Sequence, residues 1–205
     1  MATPEVEEYD VAVVGAGVVG CAIARTLVAA GASVVILDRA DDVGDGTSKA
    51  NTAVLHTGFD TAPGSLESAL VSRGHGLLAA YAAAAGIAVE ETGALLVAWD
   101  DEQEAALPGL LEKAGANGSA DARLVDAADV RRLEPHLGAG ARAGLRVPRE
   151  WVIDPWSVTL AFATEAVSAG ARWRGPGELA GQRSGARGRH GRPDARTRRV
   201  HGHTP

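Results

Sequence analysis

A single cysteine, Cys21, stands in the 205 residues, so no intrachain disulfide can form and a reducing compartment is the natural home. Lying just inside an apolar helical stretch, Cys21 reads as a small buried side chain rather than a reactive thiol. No run approaches the roughly 18–20 apolar residues of a bilayer span, and no basic segment followed by an apolar run opens the chain. A cytoplasmic protein is therefore expected. His190, His201 and His203 have no Cys or carboxylate partners at ligand spacing, so no metal is expected. There is no internal repeat, and the first eight residues form an acidic lead with nothing to pack, expected to fray.

Basic charge is scarce in one part of the chain and acidic charge in the other. Residues 1–171 carry 11 Lys and Arg against 24 Asp and Glu, whereas residues 172–205 carry 9 Arg, no Lys and 2 acids. From Arg174 onward the only large apolar side chains are Leu179 and Val200, too few for a core, so 172–205 is expected to be a disordered Arg/Gly-rich tail. The tail has no aromatic residue after Trp173 on which bases could stack, and no periodicity that would line Arg along a helix face. Its Arg–Gly–Pro–Ala composition favours an out-of-frame reading of a GC-rich gene over a basic arm, and no nucleic-acid partner is expected.

What the chain does have is concentrated in Tyr9–Asp38, YDVAVVGAGVVGCAIARTLVAAGASVVILD. Val11–Val14 is short and apolar enough for a buried parallel strand, and Gly15, Gly17 and Gly20 follow at G-x-G-x-x-G spacing. Gly15 suits a tight turn, Gly17 lets a pyrophosphate approach the backbone, and Gly20 lets helix and strand pack closely. The helix from about Val18 to Ala30 points its free N–H groups at that anion, with a dipole contribution of about 0.3–1 kcal/mol. Gly31 closes the helix, Val34–Leu37 forms the second strand, and Asp38 ends it where a carboxylate can accept both ribose hydroxyls and repel a 2′-phosphate. This unit binds a dinucleotide; by itself it leaves NAD and FAD open.

A long loop, RADDVGDGTSKANTAVLHTGFDTAPGS, comes next. Such length usually marks function or disorder, and Thr47, Ser48 and Asn51 together with the anchors Val54, Leu55 and Phe59 favour function, with the loop folding back over the cofactor's phosphates. Apolar spacing predicts a helix from Ser65 to about Ala85, weakened by Gly74 and Gly76. Strand-like pieces follow at 89–92 and 94–99, then a helix capped by Asp101, a short strand at Leu124 and Val125, and a helix capped by Asp126. Strands at 145–147 and 151–153 lead into a helix with Asp154 as N-cap, Pro155 at its first position and Gly170 at its end. Alternating strands and helices over 9–171 predict an α/β fold with a mixed second layer.

With the loop included, the chain resembles the flavin-dependent oxidoreductases of the D-amino-acid oxidase and glycerol-3-phosphate dehydrogenase superfamily. Three blocks carry the likeness: VVGAGVVGCAIARTLVAAGASVVILD, GTSKANTAVLHTGFDTAPGSLESALVSRG and VPREWVIDPWSVTLAFATEAVSAGA. The middle block most resembles glycerol-3-phosphate dehydrogenases and L-2-hydroxyglutarate oxidases. The resemblance covers about residues 9–171, as the N-terminal portion of the oxidoreductase domain, and implies a Rossmann-like FAD-binding βαβ unit with part of a mixed-sheet substrate domain. It implies FAD, with Gly15, Gly17, Val18, Val19 and Gly20 at the pyrophosphate and Asp38, beside Arg39, on the adenosine ribose. Asp stands where Glu is more usual; although shorter, it should still reach. The same resemblance puts Ser48 and Thr47 at the pyrophosphate and Asn51 and Thr52 toward the flavin.

His56 lies where the loop passes the isoalloxazine ring in relatives. A few relatives attach flavin through such a histidine, but a non-covalent role is the simpler reading. As the only ring nitrogen in the matched loop, His56 is the candidate base for a hydroxyl proton. Arg73, Arg146 and Arg149 are candidates for anion contact, with surface solvation the simpler role for each. The implied reaction oxidises a CH–OH donor such as glycerol 3-phosphate or a 2-hydroxy acid, a small-molecule substrate, by hydride transfer to flavin. Family members run considerably longer, so the competing expectation is a truncated or frameshifted fragment that binds FAD or another dinucleotide without catalysis.

Overall fold

The computed structural model describes residues 7–176. In chain order the elements are β1 (Val11–Val14), α1 (Val18–Ala29), β2 (Val34–Leu37), β3 (Val54–Leu55), α2 (Leu66–Ala85), β4 (Val89–Glu90) and β5 (Ala94–Ala98). Then come α3 (Asp101–Ala116), β6 (Arg123–Asp126), α4 (Ala127–Leu133), β7 (Ala143–Val147), β8 (Trp151–Ile153), α5 (Pro155–Ser168) and β9 (Arg172–Arg174). The α/β class follows, as three small three-stranded sheets in the orders β1-β2-β9, β3-β8-β4 and β5-β7-β6.

The first sheet is parallel, with Val11 opposite Val34 and Val14 opposite Leu37. α1 covers it, and α5 lies against α1 through a seam of small residues. Cys21 and Ala24 meet Ala163 and Ala166 in one cluster with Val13, Val34 and Ile36. Removing Val34 and Ile36 from water contributes about 1.5–3 kcal/mol each, and both are fully buried. Gly31 stands one residue beyond the helix cap, Ala30, at φ +89.

The first residues of the expected tail are a strand instead. Arg172–Arg174 pairs in parallel with Val35–Leu37 as β9. α5 delivers the chain to the open edge of β2, whose unpaired backbone groups are a ready template, and Trp173 adds its ring to the α1 cluster. Three residues with one apolar side chain suffice because the template is already there. The acidic lead is tied down at its end as well: Glu7 pairs with Arg174 and accepts a hydrogen bond from the Tyr9 hydroxyl. Residues 177–205 of the predicted tail, with its histidines, lie outside the described residues.

The other two sheets are antiparallel, each built on its middle strand. β8 takes β3 on one edge and β4 on the other, and β7 takes β5 and β6. The loop after Asp38 is therefore not structureless, since it holds a 3₁₀ turn at Thr47–Lys49 as well as β3. Nor do Gly74 and Gly76 break α2. Each costs about 1 kcal/mol relative to Ala, but the helix is alanine-rich and capped at both ends, by the Ser65 hydroxyl and by Gly86 at φ +69. The cap of α3 is Asp100, not Asp101: its carboxylate accepts from Gln103 N, while Gln103 Oε1 accepts from Trp99 N. Asp126 and Asp154 cap α4 and α5 as expected.

Candidate functional site

The turn between β1 and α1 is shaped by its glycines for different reasons. Gly15 sits at φ +105 with open space where a Cβ would be, a conformation that glycine alone adopts readily. A Cβ on Gly17 would lie 3.1 Å from Ser48 Oγ, and one on Gly20 would lie 1.9 Å from the Gly15 carbonyl oxygen. Gly17 thus keeps backbone and loop close, and Gly20 lets α1 cross β1 at a distance no other residue permits.

The first N–H groups of a helix have no acceptor within it. Here the Val18 N–H donates to Ser48 Oγ at 2.9 Å, which places the long loop over the start of α1. A hydroxyl that accepts through one lone pair keeps its own proton to donate, so Ser48 can still give a hydrogen bond to an anion at the same place. The remaining first-turn N–H groups and the positive end of the helix dipole suit a phosphate.

At the end of β2, Asp38 accepts from the backbone N–H of Ala16 and, at 2.8 Å, from that of Ala40. Burial pushes its carboxyl up, but the N–H groups of Ala16, Ala40 and Arg39 and the Arg39 charge outweigh it and hold the group below its ordinary value. An ionised carboxylate has about four acceptor positions, so with three N–H donors on it one remains for a ribose hydroxyl. The glycine turn, helix terminus, Asp38 and Ser48 together fit a dinucleotide's pyrophosphate and ribose.

The other predicted residues divide. Val19, Arg39, Thr47 and Thr52 are exposed around the turn. Asn51 is exposed too, but its amide is spent on the loop itself, donating to Ser48 O at 2.8 Å and accepting from Ala53 N at 2.7 Å. That pins Ala53 at φ +57, the one non-glycine residue at positive φ among the described residues. Arg149 is committed to Asp121 and to the Gly118 carbonyl, Arg73 is exposed on α2, and Arg146 lines a cavity with Thr92, Leu95, Leu133 and Leu137. Cys21 is buried, and burial, with the Asp38 charge, pushes its thiol up to about 11.

His56 follows β3 and is 54% exposed, with Nδ1 3.0 Å from Oε2 of Glu150. Glu150 was missed by sequence reasoning. Its side chain is 2% exposed, and its Oε1 accepts from Thr57 N at 2.5 Å and Thr57 Oγ1 at 2.6 Å. The available signal was an acid set directly ahead of the apolar strand Trp151–Ile153 in the third block. Among the described residues, no group of three or more His, Cys, Asp and Glu could hold a metal. No described helix is long and apolar enough to cross a membrane.

This arrangement defines a dinucleotide-binding βαβ unit followed by a loop that returns to its helix terminus. A family model described as FAD dependent oxidoreductase matches residues 10–199, and the chain belongs to that family, whose cofactor is FAD. The match continues past Ala171, where the sequence reading ended the likeness. The chain is 32% identical over 162 residues to a glycerol 3-phosphate dehydrogenase of Caloramator mitchellensis, covering 79% of this chain and 34% of that protein. It is 32% identical over 164 residues to the human mitochondrial L-2-hydroxyglutarate dehydrogenase, covering 79% of this chain and 35% of that one. The chain thus spans about a third of the curated relatives it matches. Among solved structures, the L-alpha-glycerophosphate oxidase of Mycoplasma pneumoniae with FAD bound superposes with a TM-score of 0.79 at 27% identity, over 83% of this chain and 45% of that one.

Proposed function

We propose that the chain binds FAD in the β1–α1–β2 cradle and takes part in oxidising a CH–OH donor, glycerol 3-phosphate or a 2-hydroxy acid. The observation that carries this reading is the return of the loop: one continuous segment places Ser48 at the α1 terminus and, eight residues on, His56 against Glu150. Gly15, Gly17, Val18, Val19 and Gly20 hold the pyrophosphate with Thr47 and Ser48. Asp38, beside Arg39, holds the ribose, and Asn51 and Thr52 border the flavin. FAD, when bound, supplies the hydride acceptor. His56 takes the hydroxyl proton as general base, a role worth about 10²–10⁴ in rate. Residues 9–171 form the oxidoreductase portion, acting on a small-molecule substrate in the cytoplasm.

Anaerobic mixing of the flavin-loaded protein with glycerol 3-phosphate and, separately, with L-2-hydroxyglutarate tests this. Bleaching of the flavin absorption by one of them is expected; flavin that stays oxidised with both, while firmly bound, would favour a second reading. In that reading the chain binds FAD without turnover. The observation behind it is the 54% exposure of His56, since hydride transfer needs a site that excludes water.

A further inference from the structure

Glu150 is the one acidic residue among the described residues that is buried, and no Arg or Lys pairs with it there. Burying a carboxylate is costly unless donors surround it. Two of its donors come from Thr57, whose Oγ1 in turn lies 3.3 Å from the donating Ser119 Oγ. Both Thr57 bonds fall on Oε1. One of them is a backbone N–H, which can only donate, so Oε1 is fixed as an acceptor. Oε2 is left facing His56 Nδ1 at 3.0 Å.

A neutral imidazole carries its proton on one nitrogen and a lone pair on the other, and the choice follows the partner each nitrogen meets. We propose that Glu150 is a positioning residue: its buried carboxylate holds the His56 proton on Nδ1, so that Nε2 carries the lone pair and serves as the base. This rests on the reading of His56 as base given above. In the reaction the substrate O–H bond breaks and its proton moves to Nε2, while the hydride leaves the same carbon with its electron pair for bound FAD and a carbonyl forms. The resulting imidazolium is paired with the Glu150 carboxylate, so the developing positive charge meets a fixed negative one.

The constraint at Oε1 makes the substitution Glu150→Gln decisive. Thr57 N–H still requires an acceptor, so the amide oxygen must take the Oε1 position and the amide NH₂ must face His56. A donor opposite Nδ1 forces the lone pair onto Nδ1 and the proton onto Nε2. Ring nitrogen shifts of the neutral imidazole in the ¹⁵N-labelled full chain, assigned to His56 by their loss in His56→Gln, report this directly and need no flavin. Expected are Nδ1–H in the wild type and Nε2–H in Glu150→Gln, with the amide spectrum otherwise retained. A wild-type ring protonated on Nε2 overturns the proposal without any variant, as does a Glu150→Gln ring that stays Nδ1–H. If Glu150→Gln does not fold, Thr57→Ser, which keeps both donors, must retain the wild-type tautomer, and its loss overturns the proposal. In the flavin-loaded protein, flavin reduction by Glu150→Gln should fall about 10²–10⁴-fold with KM little changed. A tautomer that switches without any loss of rate would uphold the positioning role while removing His56 as the base.

Discussion

Gly20→Ala is the sharpest perturbation of the cradle, because the structure sets its sign against ordinary helix chemistry. Within α1, alanine is better than glycine by about 1 kcal/mol, so composition alone predicts stabilisation. The new methyl, however, would lie 1.9 Å from the Gly15 carbonyl oxygen, about 1.5 Å inside ordinary van der Waals contact. That oxygen belongs to the backbone and cannot swing aside, so α1 must move off β1. Overpacking costs about 1–3 kcal/mol, occasionally more, and rigid backbone on both sides places this case at the upper end. The net loss is about 2 kcal/mol, which for a chain of this size lowers Tm by roughly 4–8 °C. Gly109→Ala is the matched control: it lies inside α3 with nothing within 4 Å of the Cβ position, and should gain about 0.4–1 kcal/mol. Thermal unfolding followed by circular dichroism reads both. A Gly20→Ala Tm at or above that of the wild type would refute the close-crossing argument.

Two further expectations concern titration and capping. Cys21, buried with its thiol pushed up to about 11, should resist thiol reagents at about pH 8 and react fully once the chain is unfolded in guanidinium; rapid labelling of the native protein would contradict its burial. Asp154→Ala should cost about 1 kcal/mol in urea unfolding near neutral pH, since the carboxylate accepts from Trp156 N, Ser157 N and Ser157 Oγ. The Ser157 hydroxyl, with the two N–H groups, holds that carboxyl below its ordinary value against the pull of burial. A depressed folded value contributes stability above the unfolded value of about 3.9 and loses it as pH falls through the folded one. The gap between wild type and Asp154→Ala should therefore close below about pH 4, and a gap that widens there would be contrary evidence.

The parts of this fold legible in the sequence are those whose causes are local. β1, α1 and β2 follow from a buried run, three glycines and a second run within thirty residues, and Asp154–Pro155 announces α5 through adjacent residues. What the sequence hides is set by partners far along the chain. β3 has two residues and exists because β8 pairs with it from almost a hundred positions away, and β9 exists because β2 has an open edge. Glu150 is the same lesson in chemistry. Alone it is one acid beside an arginine, and only the pairing of β3 with β8 brings it to Thr57 and His56. The candidate site divides likewise: the glycines and Asp38 follow a spacing, whereas the Ser48 contact to Val18 spans 30 residues and depends on how the loop folds back.

We propose that Gly15–Gly20, Asp38 and Ser48 form one grip for FAD. Titrating FAD into the flavin-free protein and following the quenching of flavin fluorescence tests it most directly, with NAD as competitor and with Asp38→Ala and Ser48→Ala alongside. Saturable FAD binding that NAD does not displace is expected, weakened at least tenfold by each substitution, about 1.4 kcal/mol apiece. FAD binding that is absent, or unchanged by both substitutions, would contradict it.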